Sequence, residues 1–266
     1  MGLENGSILE VTMFYSIKRK SIIAVLVVVA LVAICATGMA NEQVSAVFNN
    51  QSLRKVPVYG VDTDEKIVAL TFDAAWGADK TQGILDILDK HGVDGTFFLV
   101  GFWIDKYPEM VKKIAESGCD IGNHSNNHLN MSTLNKDKIA EELDYVTDKV
   151  KELTGAQTKF FRPPFGDYNN TLLEVVEQKN MIGVQWTVDS LDWKGLSATE
   201  ILSRVNKGVK SGSIILFHNN SDNILDALPL VIANLKNQGY KMVKLSDLVY
   251  QEGYSIDNSG IQHKNA

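Results

Sequence analysis

The side chains with the most chemical capacity fall in five short stretches. Asp73 ends one apolar run; His124 and His128 flank Ser125-Asn126-Asn127; and Arg162 precedes Pro163 and Pro164. Asp189 and Asp192 follow an apolar stretch that ends at Val188, and His218 closes Ile214-Ile215-Leu216-Phe217. The spacing of His124 and His128 lets two imidazoles converge on one metal ion, and they are two of only five histidines. Carboxylates and imidazoles are also the groups that exchange protons with a reacting center near neutral pH. Each residue has an ordinary use as well. An Asp after a strand caps a turn or helix, and a histidine pair in a polar loop sits at the surface. A histidine on an apolar strand can be a satisfied core residue, and an arginine can serve a structural ion pair.

Strands and helices read from the apolar pattern must position them. Apolar, β-branched or aromatic runs at 67–72, 96–100, near 123, 158–161, 182–188, 213–217 and 240–244 read as strands. Between them lie helical patterns. Ile84, Leu85, Ile87 and Leu88 precede Gly92; a helix opened by Pro108 carries Val111, Ile114 and Ala115 and closes at Gly118; and Ile139, Leu143, Val146, Val150 and Leu153 form one stripe that ends at Gly155. Further helices are expected near 171–179, 198–210 and 224–237. Seven strand-helix units require a parallel sheet and suit a closed or nearly closed α/β barrel, a distorted TIM-like one, with the doubly wound open sheet as the alternative. In a barrel the strand C-terminal ends form the face that carries active sites. Asp73, His124, His128, Arg162, Asp189, Asp192 and His218 all follow strands, so they are expected at one mouth.

Five motifs in fixed order carry a family resemblance: Thr71-Phe72-Asp73, His124-Ser125-Asn126-Asn127-His128, Arg162-Pro163-Pro164-Phe165-Gly166, Asp189-Ser190-Leu191-Asp192-Trp193 and Leu216-Phe217-His218. Over roughly 66–250 the chain resembles the polysaccharide deacetylases of the NodB-homology type, and within them a PdaB-like, sporulation-associated branch. The resemblance implies a NodB-type distorted barrel that hydrolyses the acetamide of an N-acetylated glycan such as peptidoglycan or chitin, with a divalent ion, usually zinc, on His124 and His128. It implies Asp73 as general base, His218 as general acid, Arg162 holding Asp73 and Asp192 tuning His218. Phe165 and Trp193 become apolar walls for the substrate, and a backbone N–H beside Phe165 an oxyanion donor. Tyr168, Trp76 and Trp103 stand in the loops whose shapes choose the glycan, with core packing the commoner role for either tryptophan.

One position departs from that pattern. The family's second Asp, a metal ligand, is Ala74 here, followed by Ala75-Trp76-Gly77. A methyl group coordinates nothing, and catalytic zinc usually takes three protein ligands. Three outcomes are open: Asp73 becomes the third ligand, the metal binds weakly, or the site is a poor catalyst. Retained deacetylase chemistry and a glycan-binding descendant with a dead site are the two leading functions; hydrolysis of another non-peptide C–N bond is a third.

Composition bounds the rest. A net charge of -6 argues against nucleic acid as partner, since that affinity rests on Lys and Arg. Lys18, Arg19 and Lys20 precede an apolar run over 22–36, the pattern of a cleavable signal peptide or a membrane anchor. The expected layout is a cytoplasmic basic region at 1–20, a membrane segment at 21–40, a linker at 41–65, the deacetylase domain at 66–250 and a mobile polar tail at 251–266. The domain is then extracytoplasmic, and with only Cys35 and Cys119 in the chain it has no disulfide framework. Oligomeric state is not set by the sequence.

Overall fold

The strand β2, Ile67–Ala74, is buried from Val68 onward, as expected of a parallel strand covered on both faces. In the computed structural model, which describes residues 54–265, it lies at the center of a sheet of β3 (Thr96–Leu99), β4 (Asp120–Asn123), β5 (Phe160–Phe161), β6 (Ile182–Gly183), β7 (Val188–Asp189), β8 (Ile214–His218) and β9 (Lys241–Val243). The order is β6-β5-β4-β3-β2-β8-β7, with β9 on the first half of β2, and every ladder is parallel. Alternation along β2 separates two layers. Val68, Leu70, Phe72 and Ala74 join the apolar cluster under the helices, whereas Ala69 packs inward with Phe98, Phe160 and Ile214.

Outside the sheet run α1 (Thr81–His91), α2 (Gly101–Lys106), α3 (Pro108–Glu116), α4 (Lys136–Thr154), α5 (Asn170–Gln178), α6 (Ala198–Gly208), α7 (Ile224–Asn237) and the short α8 (Leu245–Leu248). Their ends follow local chemistry. Gly92 and Gly155 take left-handed conformations to stop α1 and α4, and Ser197 with Glu200 forms a capping box that starts α6.

The expected strand at 182–188 is two short strands, and they lie at opposite edges of the sheet. A flat sheet would hold those edges about 29 Å apart, at about 4.8 Å for each of its six intervals. The chain from Gly183 to Val188 reaches only about 17 Å when fully extended. The sheet therefore has to curl, and the result is a half-barrel, the open form of the closed or nearly closed distorted barrel that the alternation suggested. β6 and β7 are not paired with each other.

Residues expected to be linker and tail meet this open seam. Val58 bridges to Val184, donating its N–H to Gly183 O (2.8 Å) and accepting from Gln185 N (2.7 Å). Beyond it, β1 (Gly60–Val61) pairs with β11 (Ile261–Lys264), which pairs in turn with β10 (Tyr254–Ile256). Gln262 is fully buried and exchanges two 2.8 Å hydrogen bonds with the backbone of Tyr250. The compact unit thus begins at Arg54 and runs through the expected tail. Two- to four-residue strands are too short to show periodicity, which is why the sequence reads them as irregular. The basic region and membrane segment at 1–40 lie outside the described residues. Among those described, no helix is long and apolar enough to cross a membrane.

Candidate active site

Register brings the first two groups together. In the parallel ladder of β2 and β8, Asp73 stands opposite His218, so two neighbouring strands deliver a carboxylate and an imidazole to one end of the sheet. On the other side β3 and β4 set Leu99 against Asn123, and the chain leaves β4 through His124, whose N–H donates to Leu99 O at 3.0 Å. Arg162 follows β5, its N–H donating to Asn123 O at 3.0 Å. Aligned strand ends thus do the gathering. Asp73, His124, His128, Phe165, Asp189, Asp192, Trp193 and His218 line one cleft of about 570 Å³.

Asp73 has one hydrogen-bonded partner and one close neighbour. Its Oδ1 accepts from Arg162 Nη1 at 2.7 Å, and its Oδ2 lies 3.5 Å from His124 Nε2. Arg162 is wholly buried, donates from Nη2 to Gln185 O at 3.0 Å, and rests 4.2 Å from the Phe98 ring center. Burial alone would raise the Asp73 carboxyl, but the Arg162 charge, with lesser help from His218, outweighs it and holds the group below the ordinary carboxylate value. The carbonyl of Arg162 lies 2.7 Å from His124 Nδ1. A carbonyl only accepts, so Nδ1 carries the proton and Nε2 turns a lone pair toward Asp73.

His218 is built the opposite way. Burial works against its charge, yet the Asp192 hydrogen bond and the nearby carboxylates prevail and raise its pKa above the usual imidazole value. Asp192 is itself buried, accepting from His218 Nδ1 and from the His218 backbone N–H, both at 2.8 Å. Nδ1 is therefore the donor, and Nε2 is the nitrogen left for the cleft. The two charged pairs thus favour an ionised carboxylate at 73 and a protonated imidazole at 218, the separation that acid–base catalysis needs.

His128 reaches the cleft through strained backbone. Its φ is 53°, and its N–H donates to Ser125 Oγ at 3.0 Å. Its ring meets Trp76, His124 and Phe165 edge-to-face at 5.0, 5.1 and 4.7 Å. Burial first, then the neighbouring His124, lower its pKa to about 4. Ser125, Phe165 and Leu191 also have positive φ; the fifth such non-glycine among the described residues, Asn180, lies outside the cleft. A left-handed residue with a side chain costs about 1–2 kcal/mol, and such strain concentrates where function demands a pose.

Other expected residues sit elsewhere. Tyr168 is not part of the cleft wall; it packs beside Met131 and Leu172, and its hydroxyl accepts from Arg54 Nη2 at 3.3 Å. Trp103 is a core residue whose indole N–H donates to Gly77 O. Of the N–H groups after Phe165, that of Gly166 is used by Pro163 O and that of Asp167 by Pro164 O. Trp186, which lines the cleft and stands 5.6 Å from the Arg162 guanidinium, was hidden inside an expected strand. Glu142 was also missed. It is 1% exposed and accepts from both the backbone and side-chain N–H groups of Asn127 at 2.7 Å, so it fixes the loop between the two histidines. The signal was present, because Glu142 falls on the apolar stripe of α4 three residues after Ile139.

The family model for polysaccharide deacetylases matches residues 60–184. A peptidoglycan-N-acetylglucosamine deacetylase of Bacillus cereus is 38% identical over 185 residues, covering 68% of this chain and 67% of that one. The chain belongs to the polysaccharide deacetylase family. It is also similar to YlxY of Bacillus subtilis, an uncharacterized protein, at 34% identity over 211 residues, and it spans 66% of that protein's length. Among solved structures, a CE4 family pseudoenzyme of Bacillus anthracis superposes with a TM-score of 0.71 at 31% identity, covering 81% of this chain and 75% of that one. A mutant of that pseudoenzyme has restored enzymatic activity.

The deacetylase family is generally metal-dependent, and the donors here do not complete such a site. Among the described residues no group of three or more His, Cys, Asp and Glu side chains is placed to hold a metal ion. Asp73 shares its carboxylate with Arg162, and the Ala74 methyl is fully buried in the apolar layer under the helices, while Ala75 lines the cleft. Two imidazoles fall short of the three protein ligands usual for catalytic zinc.

Proposed function

We propose that the cleft removes N-acetyl groups from an N-acetylated glycan, taking up water and releasing acetate and a free amine. The observation that carries this reading is the register match of Asp73 and His218 on adjacent strands, each held in the protonation state its task requires. Asp73 takes a proton from the attacking water, and His218 gives one to the departing amine nitrogen. Arg162 and Asp192 act through these two, by position and charge. Trp193 and Phe165, 58% and 70% exposed at the cleft, are surfaces for the sugar and its acetyl methyl. The basic and apolar N-terminal pattern supports an extracytoplasmic site, reached by export or by a membrane anchor at 21–40. The PdaB-like motifs support wall or spore peptidoglycan as the polymer.

The methyl group at Ala74 favours a second reading, a glycan-binding protein that keeps the cleft without turnover. Acetate release from N-acetylated peptidoglycan and chitin oligomers by the purified full-length chain separates the two. Release that is lost in Asp73→Asn and in His218→Ala supports the hydrolase. Equal release from wild type and both variants discards it, and saturable binding with no release establishes the second reading.

A further inference from the structure

Arg162 orients Asp73, but what orients Arg162 lies outside the five motifs. Its guanidinium has two acceptors among the described residues, Asp73 Oδ1 at 2.7 Å and the backbone carbonyl of Gln185 at 3.0 Å. The first is the group being held, so the second is the fixed point. The Phe98 ring beneath the guanidinium offers a face but no hydrogen-bond direction. A wholly buried guanidinium that lost the Gln185 carbonyl would carry one more unmet donor, a penalty relieved by turning toward another acceptor.

Gln185 sits on the crossing between β6 and β7, where the curled sheet is open. Its neighbours are tied to the strands on either side, Val184 N–H to Phe161 O at 2.8 Å and Thr187 N–H to Ile214 O at 3.0 Å. The Gln185 N–H goes to neither. It donates to Val58 O at 2.7 Å, and Val58 N–H donates to Gly183 O at 2.8 Å, so the segment Val58–Val61 lies along the crossing as a strap. The strap is braced in turn by β11. Tyr59 N–H donates to Gly260 O at 2.8 Å and Asp62 N–H to Gln262 O at 2.9 Å, while Gly60 and Val61 stand opposite Ile261 and Gln262. The Gln185 side chain, 1% exposed, adds a tie of its own, from Nε2 to Gly166 O at 2.8 Å. One residue thus receives the strap on its N–H and gives its carbonyl to Arg162.

We infer that Gln185 is a positioning residue for the acid–base site, and that the strap Val58–Val61, braced by β11, holds it in place. Displacing the strap moves the Gln185 carbonyl, frees Arg162 Nη2 and lets Asp73 rotate from its pose. Catalysis is steep in such placement, since a shift of about 1 Å can cost about a hundredfold. The inference rests on the cleft being hydrolytic and deepens that reading. It makes segments at the two ends of the folded unit, far in sequence from every motif, part of what aims the base.

Gly260→Ala reaches the strap without touching the cleft. The φ there is 82°, and a Cβ would fall 2.3 Å from Tyr59 Cδ2 and 2.8 Å from Pro57 O. Gly253→Ala, at a φ of 65° with nothing within 4 Å, is the control. In the full-length chain, hydrogen exchange by NMR follows the Gln185 amide and the Arg162 guanidinium, and acetate release gives kcat and KM. Gly260→Ala is expected to speed exchange at both groups by about tenfold or more and to lower kcat by about tenfold with KM within about twofold. Gly253→Ala leaves all four within about twofold of wild type. A lowered Tm with Arg162 exchange or kcat unchanged makes the strap merely structural and overturns the proposal, as do equal changes in the two variants. If Gly260→Ala does not fold, the wild type in low urea decides. The Tyr59 and Gln185 amides and the Arg162 guanidinium then show protection within about threefold of one another, and an Arg162 that stays protected while the strap opens overturns the proposal. A wild type that releases no acetate removes the hydrolase and leaves exchange to decide the positioning; release with exchange unlinked does the reverse.

Discussion

Arg162 offers the sharpest test of how the site is held. It is wholly buried, and its partner Asp73 is nearly so, at 2.7 Å. Replacing Arg162 by Met keeps the volume against Phe98 but leaves a carboxylate in a dry site without its cation. Breaking a buried pair in this way costs about 3–5 kcal/mol. For a unit of this size, each kcal/mol lowers Tm by about 2–4 °C, so the expected loss is roughly 6–20 °C. Asp73→Asn strands the guanidinium instead and should cost a similar amount. The double variant has neither charge, so it should lose less than the two single losses combined, by about 2–3 kcal/mol. Urea unfolding of the four proteins, followed by tryptophan fluorescence, measures the cycle. The pH dependence gives a second check. Arg162 keeps the folded pKa of Asp73 below its unfolded value, so the pair's stabilisation is present above about pH 3.9 and fades as pH falls through the folded value. In Arg162→Met, burial is opposed only by the lesser pull of His218, so the Asp73 pKa rises and the gap to wild type should narrow in acid. Losses that add to within about 0.5 kcal/mol would refute the pairing as the source of stability.

Three further outcomes are expected. Asp192→Asn removes the hydrogen-bonded carboxylate that raises the His218 pKa, so the alkaline limb of kcat/KM against pH should move to lower pH; an unmoved limb would show that Asp192 does not set the acid. Gly212 has a φ of 74°, and a Cβ there would fall 1.7 Å from Val61 O, so Gly212→Ala should cost more than about 2 kcal/mol by thermal unfolding. Gly155→Ala has a φ of 73° with nothing within 4 Å and is the control: equal losses would mean that the seam bears no stress. Zinc at about tenfold excess should leave the wild-type Tm where a chelator leaves it, since a ligand stabilises only by binding the folded state; a clear rise in Tm would show that a third donor exists.

Much of the site was legible because its chemistry is tied to strand ends. Asp73 and His218 stand at the last residues of strands, and His124, Arg162 and Asp192 in the turns just after them, and a parallel sheet brings such positions to one edge whether the barrel closes or not. The degree of closure was not legible. It depends on β6 and β7, two residues each, whose distant places in the sheet no periodicity records. The strap at Val58–Val61 and the strand around Gln262 escaped for the same reason, and Tyr168 was misplaced because sequence proximity to Phe165 says nothing of which way a loop turns.

The remaining tension lies between a complete acid–base pair and an incomplete metal site. Arg162 keeps Asp73 ionised but also makes it a weaker base, because a lowered pKa reduces its pull on a proton from water. A bound cation would relieve that burden by making the water more acidic, and Ala74 removes the ligand that the family pattern supplies for one. Exposed aromatic surface at the cleft does not suffer from this loss. Phe165 and Trp193 stay exposed on the cleft wall whatever the ion does, so under the proposed function binding should survive in a protein whose turnover is slow. Kinetics that show substrate affinity intact and kcat depressed would fit this balance. A kcat matching that of the family's three-ligand members would mean that Asp73 activates water far better than its carboxylate's environment allows.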